Sequence, residues 1–206
     1  MFETVINGVS LKFETHRDLF SPLSPDKGTM AMLSLCAIGA EDKVLDLGCG
    51  YGTVGVYVSS VVGPQNVTMT DVSERAVEYA RKNLELNGFS GAKVIQSDGF
   101  ENITERDYTL ILSNPPYHTD FSVAKGFIEQ GRRHLVTGGR MVMVTKRRLW
   151  YENKLKSVFG GVKVIEAGDY FVFISEKRPY EAKTNERKNA NGGMSKKLAR
   201  KNRRQR

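Results

Sequence analysis

From Lys43 onward the chain alternates short apolar runs with longer segments of helical period. KVLDLG (43–48), NVTMTD (66–71), AKVIQSD (92–98) and YTLILS (108–113) have strand length and the composition of buried strands. Between the first two lies a helical stretch from Thr53 to Val62; after the second, a helix is opened by Ser73 and ended by Gly88. Its apolar residues Ala76, Val77, Ala80 and Leu84 share one face. A further helix over about 122–136 precedes Gly138-Gly139 and the strand RMVMVTK (140–146). A helix over about 149–159 then leads to VKVIEA and YFVFIS, joined tightly at Gly168-Asp169 as an antiparallel hairpin. Short apolar strands separated by helices predict a mostly parallel sheet covered on both faces. The expectation is a doubly wound, Rossmann-like α/β domain with a seven-stranded sheet and an antiparallel C-terminal hairpin. Ahead of it, runs 2–6 and 9–15 flank Asn7-Gly8, a strong hairpin signal. A loop with Pro22 and Pro25 follows, then a helix over about 27–38 closed by Gly39.

Composition refines this picture in two places. With 206 residues and 40% apolar content, the chain has enough for one full core. No stretch resembles a secretory signal or approaches the roughly 20 apolar residues of a membrane span. Cys36 and Cys49 are the only cysteines and lack metal-ligand spacing. The expectation is a cytoplasmic protein with reduced thiols, no structural metal and no membrane partner. The charge of +8 is unevenly placed. Residues 183–206 hold ten Lys/Arg and one acid, a net of +9, so the preceding 182 residues sum to −1. Residues 1–180 therefore read as one domain, with 1–40 as an N-terminal hairpin and helix extension. Residues 181–206 read as a basic tail too polar to order alone. That tail fits either a phosphate-seeking arm, the favoured reading, or a solubilising segment.

The candidate chemistry sits behind the strands, where doubly wound sheets bind ligands. DLGCGYGTVG (46–55) places glycines between a strand and a helix, and Gly50, Gly52 and Gly55 fit G-x-G-x-x-G. That spacing alone also fits a dinucleotide site. Asp46, however, stands where phosphates would meet like charge, and a carboxylate there suits a cationic ammonium. Asp71 ends the second strand, placed to bind ribose hydroxyls, and Asp98 follows the third, placed to accept from an adenine amine. Each aspartate alone fits a cap or turn equally well. Placement at three consecutive strand ends favours a shared ligand: an amino acid joined to adenosine. The D-x-G-x-G-x-G loop at 46–52 resembles that of the class I S-adenosylmethionine-dependent methyltransferases. This resemblance implies S-adenosyl-L-methionine as cofactor, contacted by Asp46, Gly48, Gly50, Gly52, Asp71, Val72, Asp98, Gly99 and Asn114.

After the fourth strand comes NPPYH (114–118), whose two prolines lock the backbone and remove two N–H donors. A conjugated amine reacts poorly unless its lone pair is aimed at the electrophile. The Asn114 side-chain oxygen and the Pro115 carbonyl are acceptors able to hold the two N–H bonds, and Tyr117 offers a face for a planar base. His118 fits a base or phosphate contact, or an incidental loop residue. Together with FSPLSPDKGTMAML (20–33), this motif resembles the catalytic domain of the ribosomal RNA small-subunit guanine 2-amino methyltransferases of the RsmC type, over about residues 5–177. The resemblance implies that Lys27, Gly28 and Thr29 lie beside the amino-acid end of the cofactor. It also implies that Asn114, Pro115 and Tyr117 are catalytic, that Pro116, Tyr117 and His118 face the substrate, and that the partner is RNA. Larger members of that family carry a second, duplicated N-terminal domain, and phenylalanine often follows the prolines where this chain has Tyr117. Adenine 6-amino or protein glutamine methylation, and a non-catalytic RNA-binding assembly factor that keeps the cofactor, are the alternatives.

Overall fold

The structure, a computed structural model, describes residues 1–116 and 121–179. It opens with a hairpin of β1 (Phe2–Ile6) and β2 (Val9–Phe13). Asn7 and Gly8 turn the hairpin with positive φ of 46° and 86°, the conformation this dipeptide favours. The Asn7 amide also donates to the Leu33 carbonyl and the Tyr57 hydroxyl, both at 3.0 Å, seating the turn on two helices.

Those helices are α1 (Lys27–Leu35) and α2 (Thr53–Val62), with β3 (Val44–Leu47) between them. Then come β4 (Val67–Asp71), α3 (Glu74–Leu86), β5 (Lys93–Gln96) and β6 (Tyr108–Ser113). The chain continues through α4 (Ser122–His134), β7 (Leu135–Thr145), α5 (Arg148–Phe159), β8 (Lys163–Ala167) and β9 (Tyr170–Glu176). Seven strands form one sheet in the order β5-β4-β3-β6-β7-β9-β8. All pairs are parallel except those of β9, which runs antiparallel to both β7 and β8. The N-terminal hairpin, α1, α2 and α3 pack one apolar cluster on one face of the sheet, and α4 and α5 a second on the other. The chain winds one way from β3 to β5 and the other way from β6, so the crevice opens beyond the carboxyl ends of β3 and β6.

Two boundaries depart from expectation. The first helix stops at Leu35, not Ile38: Cys36 turns extended while its N–H still bonds the Met32 carbonyl. Gly39 belongs to the next turn, its N–H donating to Asp42 Oδ2 at 2.8 Å. The fourth helix ends at His134, and β7 starts at Leu135, five residues before the predicted Arg140. Pairing steps from Tyr108↔Leu135 to Leu110↔Arg140, so the intervening residues bulge. Gly138 and Gly139 sit in that bulge and exchange 2.8 Å hydrogen bonds with Lys177 after β9, which is why they continue the strand instead of preceding it.

The apolar face of α3 carries one polar interruption with a purpose. Asn83 is fully buried; its oxygen accepts from the Glu14 N–H, and its nitrogen donates to the Glu14 and Tyr51 carbonyls. One turn on, Asn87 makes the matching pair of bonds with the Lys12 backbone. The helix thus completes the open edge of β2 and holds the glycine loop at Tyr51.

Candidate active site

The carboxyl ends of β3, β4, β5 and β6 border a cavity of about 330 Å³, lined on its remaining side by Phe20, Ser21, Asp26 and Thr29. Its wall contains Thr29, Asp46, Gly48, Gly50, Asp71, Val72, Asp98, Gly99, Asn114, Pro115 and Pro116. Four segments remote in sequence therefore meet as expected. Lys27, Gly28 and Gly52 are not in that wall. A Cβ on Gly28 would come within 2.5 Å of the Tyr170 ring, and one on Gly52 within 2.8 Å of Met69 and 3.3 Å of Ala80. Both glycines are placed for close packing around the site. Gly50 differs: it has φ of 56°, and a side-chain carbon there would meet no atom within 4 Å, so its backbone borders open space. Tyr117, His118 and the tail 183–206 lie outside the described residues.

Asp46 and Asp71 each have a local task. Asp46, 2% exposed inside β3, accepts from the Gly55 N–H at 2.9 Å, in the first turn of α2. Burial, opposed by that bond and reinforced by the Asp71 charge, pushes its carboxyl up from 3.8 to about 7. A cation entering the cavity would reverse that shift. Asp71 accepts from the N–H groups of Gly50 and Ser73, both at 2.9 Å, bracing the glycine loop against β4. Cys49 also lines the cavity, but burial, with the nearby Asp46 and Asp71 charges, holds its thiol well above its ordinary range. It is not a nucleophile.

Asn114, at the end of β6, is held unusually firmly. Its Nδ2 donates to Asp26 Oδ2 and to Thr29 Oγ1, both at 3.0 Å. Its Oδ1 is buried with no partner among the described residues. Asp26 is the residue that sequence reasoning missed, although it stands in the FSPLSPDKGTMAML stretch directly before Lys27, Gly28 and Thr29. Its Oδ2 also caps α1 through the Thr29 N–H at 3.0 Å, and its Oδ1 accepts from the Tyr170 hydroxyl at 3.1 Å. Two further wall residues carried no clear signal: Phe20, half exposed at the mouth, and Phe127 of α4. The Phe127 ring packs against the turns at Gly48 and Gly99, 3.6 Å and 3.4 Å from where side chains there would begin. Periodicity marks Phe127 as core, which is half its role.

The described wall holds Asp26, Asp46, Asp71 and Asp98 and no lysine, arginine or histidine. Such a cavity disfavours phosphate groups and favours an uncharged nucleoside bearing a cation. Among the described residues no cluster of His, Cys, Asp and Glu could hold a metal ion, and no helix is long and apolar enough to cross a membrane.

An acidic nucleoside-sized crevice at the switch point of this strand order defines a Rossmann-like domain of the methyltransferase kind. The chain belongs to the methyltransferase small domain family, which matches residues 10–175. A Mannheimia succiniciproducens protein, ribosomal RNA small subunit methyltransferase C, is 36% identical over 161 residues, 76% of this chain and 48% of its own. The uncharacterised Bacillus subtilis protein YbxB is 30% identical over 81% of this chain and 85% of its own. Among solved structures, the T. thermophilus 16S rRNA N2 G1207 methyltransferase (RsmC), in complex with AdoMet and guanosine, superposes with a TM-score of 0.78. It is 27% identical over 86% of this chain and 50% of that one. The chain spans about half the length of these small-subunit relatives.

Proposed function

We propose that this protein transfers a methyl group from S-adenosyl-L-methionine to an exocyclic base amine, the 2-amino group of a guanine in ribosomal RNA. The observation that carries the reading is the Oδ1 of Asn114, buried with no partner among the described residues. Its amide nitrogen is already spent on Asp26 and Thr29, so the free end of this side chain can only accept, and it suits a hydrogen-bond donor such as the N–H of an amine. The carboxylates Asp46, Asp71 and Asp98 and the open backbone at Gly50 fit the cofactor's ammonium, ribose and adenine. Asp46, Asp71 and Asp98 take those three groups in that order, and Val72, Gly48 and Gly99 border them.

When bound, the cofactor supplies an electrophilic methyl carbon. Asn114 Oδ1 and the Pro115 carbonyl then hold the two amine hydrogens, leaving the nitrogen lone pair aimed at that carbon. Positioning of this kind contributes on the order of 7–11 kcal/mol in favourable cases. The methylated nitrogen sheds a proton to solvent, so no buried base is needed. Stacking of the target base on Tyr117 would be worth about 1–3 kcal/mol, with Pro116 and His118 as the further substrate contacts. A base inside a duplex could not reach this crevice, so the target is unpaired or turned out. Tail residues 183–206 supply phosphate affinity to a body that is otherwise nearly neutral.

The test is methyl transfer from labelled donor to ribosomal RNA of a strain lacking the gene, followed by nucleoside mass spectrometry. Label in N2-methylguanosine is expected. Label confined to adenine or to protein glutamine would replace the substrate, and no label on any of them would end the enzymatic reading. Asn114→Ala should abolish transfer while S-adenosylhomocysteine still binds in calorimetry.

A further inference from the structure

A carboxamide is nearly symmetric in shape, and a half-turn about its last bond exchanges an acceptor for a donor. Asn114 turned the wrong way would present N–H to N–H and lose the amine. Something must therefore choose its orientation. Thr29 Oγ1, 3.0 Å from Asn114 Nδ2, cannot choose, because a hydroxyl serves as acceptor to one orientation and donor to the other. An ionised carboxylate only accepts, so Asp26 Oδ2, also 3.0 Å from Nδ2, admits one orientation alone.

We propose that Asp26 is a positioning residue for the reaction: it fixes the Asn114 carboxamide with its oxygen toward the reacting amine, and Tyr170 keeps Asp26 in place. The inference rests on the function proposed above and deepens it. Asp26 cannot swing aside, since Oδ2 also receives the Thr29 N–H and Oδ1 the Tyr170 hydroxyl. Tyr170, 8% exposed, is itself wedged against Gly28, where a side-chain carbon would come within 2.5 Å of its ring. A chain of contacts thus runs from the first residue of β9 through the α1 cap to the catalytic amide. It explains why Gly28 is a glycine without requiring that it touch the cofactor.

The test separates positioning from capping and from charge. In Asp26→Ser the hydroxyl still caps α1 but is too short to hold Asn114. In Asp26→Asn the side-chain oxygen can occupy the Oδ2 position, with its amide nitrogen facing the Tyr170 hydroxyl as acceptor. Asp26→Ser should lower kcat about 100-fold, with the calorimetric affinity for S-adenosylhomocysteine unchanged and the melting temperature lowered only by the two lost side-chain hydrogen bonds. Asp26→Asn should recover most of that loss. The side-chain NH₂ protons of Asn114, followed by NMR without cofactor, should exchange with solvent faster in the serine variant than in the wild type. Equal kcat and equal exchange in serine variant and wild type would overturn the assignment. A parallel loss of cofactor affinity in both variants would overturn it too, making Asp26 a counter-ion to the ligand. If the wild type itself transfers no methyl group, the functional proposal fails instead, and the exchange measurement still judges the contact.

Discussion

Asp46→Asn isolates a costly buried charge. Asp46 is 2% exposed, it accepts a hydrogen bond from Gly55, and its carboxyl titrates near 7 instead of 3.8. A pKa unit is worth about 1.4 kcal/mol, so ionising this group in the empty protein costs on the order of 4 kcal/mol. The folded value lies above the unfolded one, so the folded state holds the proton more tightly. The associated stability is complete below about pH 4 and is lost as pH rises to about 7. Asparagine keeps an oxygen for the Gly55 N–H and never ionises; an unpaired buried NH₂ takes back about 1–3 kcal/mol. The variant should therefore gain roughly 1–3 kcal/mol over wild type at pH 8 and lose roughly 1–3 kcal/mol at pH 4, a swing of about 4 kcal/mol. Function should move oppositely. On the proposed reading Asp46 faces the ammonium of the cofactor, so below pH 7 binding must expel its proton. Wild-type affinity for S-adenosylhomocysteine should then climb by up to about tenfold per pH unit between pH 4 and 7 and level off above. The variant should be flat across that range and about 10–100-fold weaker at pH 8, the loss of a charge-assisted hydrogen bond. Urea titrations monitored at Trp150, with calorimetry in buffers of different ionisation enthalpy, measure both effects. Wild-type binding without proton release, or the same pH slope in the variant, would refute the assignment.

Three further perturbations test other joints of the molecule. Asn83→Ala should cost about 2–4 kcal/mol, since it strands buried Glu14 and Tyr51 backbone groups; hydrogen exchange should rise first in the N-terminal hairpin. Gly52→Ala should destabilise by about 1–3 kcal/mol through overpacking against Met69 and Ala80, read from the urea midpoint. Truncation after Ala182 should leave the melting temperature unchanged and flatten the salt dependence of RNA binding. If about five phosphates are lost, the slope of log K against log salt falls by about 3–4; an unchanged slope would make the tail inert.

Local order in the chain announces most of the architecture. Strand-length apolar runs, the helical face of Ala76, Val77, Ala80 and Leu84, and the Asn7-Gly8 turn are short-range patterns, and each forms where expected. The glycine loop and the aspartates at strand ends were legible because topology alone brings carboxyl ends together. What stayed hidden depends on long-range partners. Asp26 caps α1 locally, but its bonds to Asn114 and Tyr170 span 88 and 144 residues. The early start of β7 was masked by Gly138-Gly139, which look like a loop until Lys177 pairs with them. Gly28 and Gly52 carried the right motif but answer to Tyr170 and Met69. Asn83 and Asn87 offered a usable signal, two asparagines one turn apart beside an apolar helix face.

The reversed direction of β9 has an effect beyond closing the sheet. Thr145, at the end of β7, pairs with Phe171, at the beginning of β9. Had this strand run with the others, its opening residue would emerge at the floor of the domain, far from the chemistry. Because it runs backwards, the chain delivers Tyr170 to the ceiling just before descending. On the proposed reading a distant C-terminal segment thereby becomes a keystone of the crevice, and a lesion in the last hairpin should silence turnover before it melts the fold.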